Sequence, residues 1–173
     1  AHAAPAGGGR GPKLWRYAAM VAVILAAATW WLARTPVNEQ LYAEHFRPDP
    51  GLPVAMGTTD DPAFADAMVS YKEGKYAEAR AKWSPLLQSD PLNDTLRFYI
   101  ASAWLNEGRA ADALPMLEGV AAEDASAFRD RARWYLFLAR IRTGATGEAL
   151  AMPLDDDPVY GERVRMIKQR LAS

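Results

Sequence analysis

The sequence predicts an all-α chain: one apolar helix followed by a short superhelix of antiparallel helix pairs, two and a half to three units long, closed by a capping helix. Three observations carry this expectation. Residues 17 to 33 run without a charge, a seven-residue pattern returns 34 residues later, and from Asp60 onward apolar residues recur at helical spacing. At 173 residues and 50% hydrophobic content the chain is one ordinary domain plus some extra, with ample material for a core. Twenty Lys and Arg face 21 Asp and Glu, so no global field attracts nucleic acid. The absence of Cys removes disulfides, thiolate nucleophiles and Cys-based metal sites, and leaves His2 and His45 as the histidine ligands available.

Residues 1 to 13, AHAAPAGGGRGPK, are almost all Ala, Gly and Pro and read as a flexible linker. The chain starts on Ala1 rather than Met, which suggests that something lies upstream. Residues 14 to 34 are expected to form a transmembrane helix. The uncharged stretch 17–33 would span roughly 25 Å at ~1.5 Å per residue, the short end of a bilayer core. Trp15 and Tyr17 at one end and Trp30 and Trp31 at the other suit the two headgroup interfaces. A signal-peptide core is the competing reading, with Ala26-Ala27-Ala28 as a cleavage site that the two following tryptophans weaken. Arg10, Lys13 and Arg16 precede the segment, and Arg34 and Arg47 follow it, which places the N-terminus in the cytoplasm and the C-terminal domain in the periplasm or outside. Residues 35 to 59 form a Pro-rich spacer. A short helical turn is expected near Glu39 to Phe46, and Pro48, Pro50 and Pro53 then forbid a continuous helix.

Residues 60 to 173 hold the repeat. Glu73-Gly74-Lys75-Tyr76-Ala77-Glu78-Ala79 returns as Glu107-Gly108-Arg109-Ala110-Ala111-Asp112-Ala113, and Ala67 and Trp83 map to Ala101 and Leu117. A third unit is weaker, because Gly144 lies 36 residues beyond Gly108 and Pro153 cuts its second helix short. Small residues at Ala67, Ala79, Ala101 and Ala113 let helices approach, large ones fill the layer, and glycine ends each first helix where the chain reverses. Asp60 or Asp61 before Pro62, and Asp155 to Asp157 before Pro158, look like helix starts. A last helix over 159–171 would turn Val164, Ile167 and Leu171 inward.

With its 34-residue period, turn glycines and alternating small and large positions, this region resembles the tetratricopeptide repeat family, over about 114 residues. The resemblance extends to single-pass bacterial envelope proteins with such a stack, and to related proteins that place an anti-sigma-like cytoplasmic domain before the span. In that family ligands lie in a concave groove lined by the first helix of each pair. Carried over, these positions are Phe64, Met68, Tyr71 and Lys72 in unit one, Phe98, Ser102, Leu105 and Asn106 in unit two, and Trp134, Leu138, Ile141 and Arg142 in unit three. A column of Phe64, Phe98 and Trp134 rimmed by Lys72, Asn106 and Arg142 suits a protein or peptide with apolar anchors and a carboxylate. The same rings equally suit packing against a neighbouring helix or against the spacer around Leu41 to Phe46.

Residues 60 to 173 carry 15 basic and 18 acidic side chains, which disfavours a nucleic-acid surface. The three adjacent aspartates at 155–157 do not converge as a cation site, and His45 has no second histidine beside it. No nucleophile with a base and no phosphate-cradling loop is visible, so no catalysis, cofactor, metal or small-molecule substrate is expected. The leading expectation is a membrane-anchored, non-catalytic protein-interaction scaffold touching the bilayer through residues 17–33, with self-association possible. The alternative is a transmembrane signalling protein of the anti-sigma-like kind.

Overall fold

A computed structural model describes residues 12–33, 36–53 and 61–172, and the side chains of 12–16, 18, 28 and 31–33 are outside the described set. Most of the linker expected at 1–13 therefore lies outside the described residues. The chain divides into two units, residues 1–36 and residues 37–173, and each is taken by itself. All regular structure among the described residues is helical.

The first unit contains α1 (Pro12–Ala33), with proline in the first turn, where its missing N–H costs nothing. Tyr17, Met20, Val21, Val23, Ile24, Leu25 and Trp30 are exposed on it. Thr29 satisfies its hydroxyl inside the helix by donating to the carbonyls of Leu25 and Ala26, at 2.9 and 3.0 Å. Among the described residues no helix is long and apolar enough to cross a membrane. The span expected at 14–34 thus draws no support from the described part of α1, and the side chains of Trp15 and Trp31, two of its four expected interfacial rings, fall outside that part.

The second unit starts with α2 (Val37–His45) and an extended run to Pro53, and continues with α3 (Pro62–Lys72), α4 (Tyr76–Ser89), α5 (Asp94–Asn106), α6 (Ala110–Ala122), α7 (Arg129–Arg142), α8 (Thr146–Ala151) and α9 (Gly161–Ala172). Helices α3 to α8 form three antiparallel pairs, each element packing on the next. Asp61 starts α3 by accepting from the amides of Ala63 and Phe64, and Asn93 starts α5 by accepting from Leu96. The first helices of the pairs stop at Gly74, Gly108 and Gly144, with φ of 76°, 79° and 82°. At the first two, the amides of Gly74 and Gly108 bond to Tyr71 and Leu105, and those of Lys75 and Arg109 bond to Ser70 and Trp104. This two-bond reversal needs a left-handed residue, which glycine supplies without a Cβ penalty.

Ala67, Ala79, Ala101 and Ala113 are fully buried where helices cross, and Trp83 and Leu117 fill the layer between them. Trp104 sits between the guanidinium groups of Arg80 and Arg109, 3.5 and 3.8 Å from its ring centre, and Arg80 also pairs with Glu107 across two units. The third pair is cut short as expected: α8 has six residues and ends just before Pro153. The last helix begins two residues later than the sequence suggested. The Asp157 carboxylate caps a turn by accepting from Val159 and Tyr160, and α9 follows with Val164 and Ile167 buried.

Candidate functional site: the face lined by α3, α5 and α7

The first helices of the three pairs turn a common face toward residues 37–53, and these residues lie across it as a strap. The apolar residues of α2 supply the anchor. Leu41 is fully buried and Tyr42 nearly so, and α2 packs on α7. Burying two such side chains stabilises the docked strap by roughly 1.5 to 3 kcal/mol each. Phe46 extends the contact by stacking on Tyr42 at 4.9 Å and lying against Tyr135 at 5.7 Å.

Polar groups then fix the register. Asn38 donates to the carbonyl of Ile141 at 3.2 Å, and Tyr42 donates to that of Leu105 at 3.4 Å. In the opposite direction Tyr135 donates to the carbonyl of Arg47 and Tyr71 to that of Asp49, both at 2.9 Å. Prolines at 48, 50 and 53 leave the strap extended with few amide donors, so its carbonyls must be met by groups of the repeat. Asp49 is the buried acid of the strap. One carboxylate oxygen accepts from Arg131 at 2.8 Å and the other from the amide of Gly51 at 2.9 Å. At Gly51 φ is 81°, and a Cβ there would stand 2.8 Å from the Met68 sulfur, so the strap backbone presses directly on α3.

This environment disfavours tyrosinate. Burial first, and the Asp49 carboxylate second, push Tyr71, Tyr99 and Tyr135 upward, Tyr99 to about 12. Burial lowers His45 below the usual histidine range, which keeps it neutral at pH 7. Glu44, His45's nearest acid at 3.9 Å, is held by Arg170 at 2.7 Å. Among the described residues no group of acids and histidines could hold a metal ion.

The residues expected to form an open groove share the face but do not line a free surface. Met68, Tyr71, Phe98, Ser102, Leu105, Trp134, Leu138 and Ile141 are buried. The expected aromatic column does not exist as one unit. Phe64 packs on Trp83 and Tyr99, Phe98 stacks between Phe128 and Tyr135, and Trp134 stacks on Tyr160 at 4.9 Å. Of the expected rim, Lys72 is exposed, Asn106 donates to Ser102 and Tyr71, and Arg142 lies 4.4 Å over the Tyr42 ring and 3.9 Å from Glu39. Asp49, Arg131 and Tyr135 are the contributors that sequence reasoning did not place here, whereas Tyr42 belongs to the apolar triple Leu41, Tyr42 and Phe46 that marks the spacer as a candidate for packing on these rings.

Comparison of the chain with protein-family models, with curated proteins and with solved structures gives no match.

Proposed function

We propose that this chain is a membrane-anchored, non-catalytic protein-interaction module of the tetratricopeptide type, whose concave face is closed by its own strap. The observation that carries the reading is the manner of docking. The repeat holds residues 37–53 through main-chain carbonyls, one buried carboxylate and apolar anchors, which is how a helical-repeat groove holds an extended peptide. A groove occupied in cis faces a high local concentration of its own ligand, so an outside segment competes poorly there. The partner surface in this reading is the rim that the docked strap completes with α7 and α9.

The repeat period and the turn glycines support the tetratricopeptide type. The uncharged run 17–33 and the exposed apolar side chains of α1 support the anchor, with the domain after it outside the cytoplasm. The test is site-specific photocrosslinking in membranes, with the reactive group at Val159 on the rim or at Phe98 under the face. Capture at 159 and none at 98 is the expected result. Capture at 98 alone means that the strap leaves and that the face itself is the partner site. Recovery of the whole chain in the alkaline-extractable fraction refutes the anchor.

A further inference from the structure

The strap meets α7 and α9 at one joint, and arginines crowd it. His45, at the end of α2, lies with Arg47, Arg131, Arg163 and the rings of Trp134 and Tyr160 around a cavity of about 360 Å³. Those two rings hold Arg163 in place, its guanidinium 5.6 and 5.7 Å from their centres. Arg170, two turns further along α9, binds Glu44 at 2.7 Å, and Arg131 of α7 binds Asp49 at 2.8 Å. The joint thus sets four guanidinium groups, those of Arg47, Arg131, Arg163 and Arg170, against the carboxylates of Glu44 and Asp49, each already bound to one of the four. At the other end of α2, Arg142 and Glu39 offset each other at 3.9 Å. Burial raises the phenols of Tyr135 and Tyr160, which stay neutral. His45 is the one histidine among the described residues, and its side chain is 13% exposed. The Glu44 oxygen beside it is 3.9 Å from Nε2, beyond hydrogen-bond length. A neutral imidazole suits this joint. An imidazolium would be a fifth cation facing two committed carboxylates, where burial already weakens hydration. Burial first, with the charges of Arg170, Arg163 and Arg47 behind it and Glu44 opposing, accordingly lowers the histidine.

We infer that His45 is an acid-sensitive catch: its protonation drives the strap off α7 and α9 and opens the face beneath, so the repeat is closed at neutral pH and opens in mild acid. The inference goes beyond the interaction reading, because it rests on the docked strap alone and needs no partner and no membrane. An undocked strap returns the imidazole to water, where it titrates near 6.5. The docked strap therefore binds the proton more weakly than the undocked one. Docking is complete above about pH 6.5, weakens as pH falls below it, and levels off once the docked histidine itself is charged. The largest loss at pH 5, for an imidazole that never charges while docked, is about 30-fold.

The experiment follows hydrogen-exchange protection of residues 41–47 in the purified full chain at pH 7.5 and pH 5, with the central amides of α5 and α6 as the reference for folding. Strap protection should fall about five- to 30-fold in acid while the reference amides change less than about twofold. His45→Gln, uncharged at both pH values and leaving Glu44 and Asp49 in place, should remove the fall. Arg163→Glu, which offers the imidazolium a carboxylate, should cut it to about twofold or less. An NMR titration of the histidine ring signals, with that of His45 assigned by its loss in His45→Gln, should give a midpoint below 6.5. Equal strap protection at the two pH values, an equal fall in His45→Gln, a fall shared by α5 and α6, or a His45 midpoint at or above 6.5 overturns the catch. If His45→Gln docks poorly at pH 7.5, an undiminished acid loss in Arg163→Glu overturns it in the same way. Failure here leaves the interaction reading standing, and a failed crosslink at Val159 leaves the catch standing.

Discussion

Replacing Asp49 by Ala tests whether the strap is a separately opening part of the fold. The Asp49 side chain is 4% exposed and makes two bonds, to Arg131 and to the Gly51 amide. A hydrogen bond to a charged group contributes roughly 1.5 to 3 kcal/mol. Stranding a buried charge would cost about 3 to 5 kcal/mol, but Arg131 is 39% exposed and regains water when its partner is removed. The net loss is therefore set at about 2 kcal/mol, or about 30-fold in the equilibrium for strap opening. Native-state hydrogen exchange reads it directly, because the amide of Phe46, bonded to the Tyr42 carbonyl at 2.8 Å, reports α2. Protection at residues 41–47 should fall about 30-fold while the central amides of α5 and α6 keep theirs. Arg131→Ala should give a similar fall, and the double variant little more than either single one. Strap protection unchanged within threefold, an equal fall across α5 and α6, or full additivity in the double variant would each refute the latch.

Four further outcomes follow from the packing and burial elsewhere in the fold. Gly161→Ala should destabilise by about 1 to 3 kcal/mol in urea unfolding, because the new Cβ would meet the Asp155 carbonyl oxygen at 2.5 Å and backbone cannot swing aside. Gly119→Ala should stay within about 0.5 kcal/mol of the parent, since its Cβ meets the movable head of Arg97 and alanine improves the helix. Ala101→Leu, at a fully buried helix crossing, should cost about 1 to 3 kcal/mol or more by forcing α5 from its neighbours, measured by the same unfolding. The alkaline limb carries a definite sign: Tyr71, Tyr99 and Tyr135 are raised in the fold, so their contribution is complete below the ordinary tyrosine value near 10 and is lost as pH rises toward 12. Unfolding midpoints should be flat from pH 7 to 9 and fall above 10, and a fall beginning below pH 9 would contradict the burial of these hydroxyls.

The helical part of the fold was legible because its constraints are local and periodic. Gly74, Gly108 and Gly144 each end a helix in the left-handed region, and no other residue fits there at low cost, so the sequence spacing alone located three reversals. The alanines at the crossings were legible for the same reason, since close approach excludes larger side chains wherever it recurs. The strap was legible in part: the helical turn expected near Glu39 to Phe46 is α2, but the segment after it was legible only as a list of prohibitions. Pro48, Pro50 and Pro53 exclude a helix or a central strand, but an extended segment has no period that says which face it turns inward. The candidate site was less legible, for a deeper reason. An aromatic ring on a first helix is demanded equally by a partner's side chain, by the next helix and by a returning segment of the same chain, because each removes the same apolar surface from water. Phe98 found Phe128 and Tyr135, and Trp134 found Tyr160, and neither choice leaves a mark in the 34-residue pattern. What distinguishes a closed face from an open one is the fate of polar atoms. The carbonyls of Arg47 and Asp49 needed donors, and the hydroxyls of Tyr135 and Tyr71 provided them. A proline-rich stretch with buried-type side chains, placed ahead of first helices that carry tyrosine, is therefore the sequence pattern that marks a face closed from within.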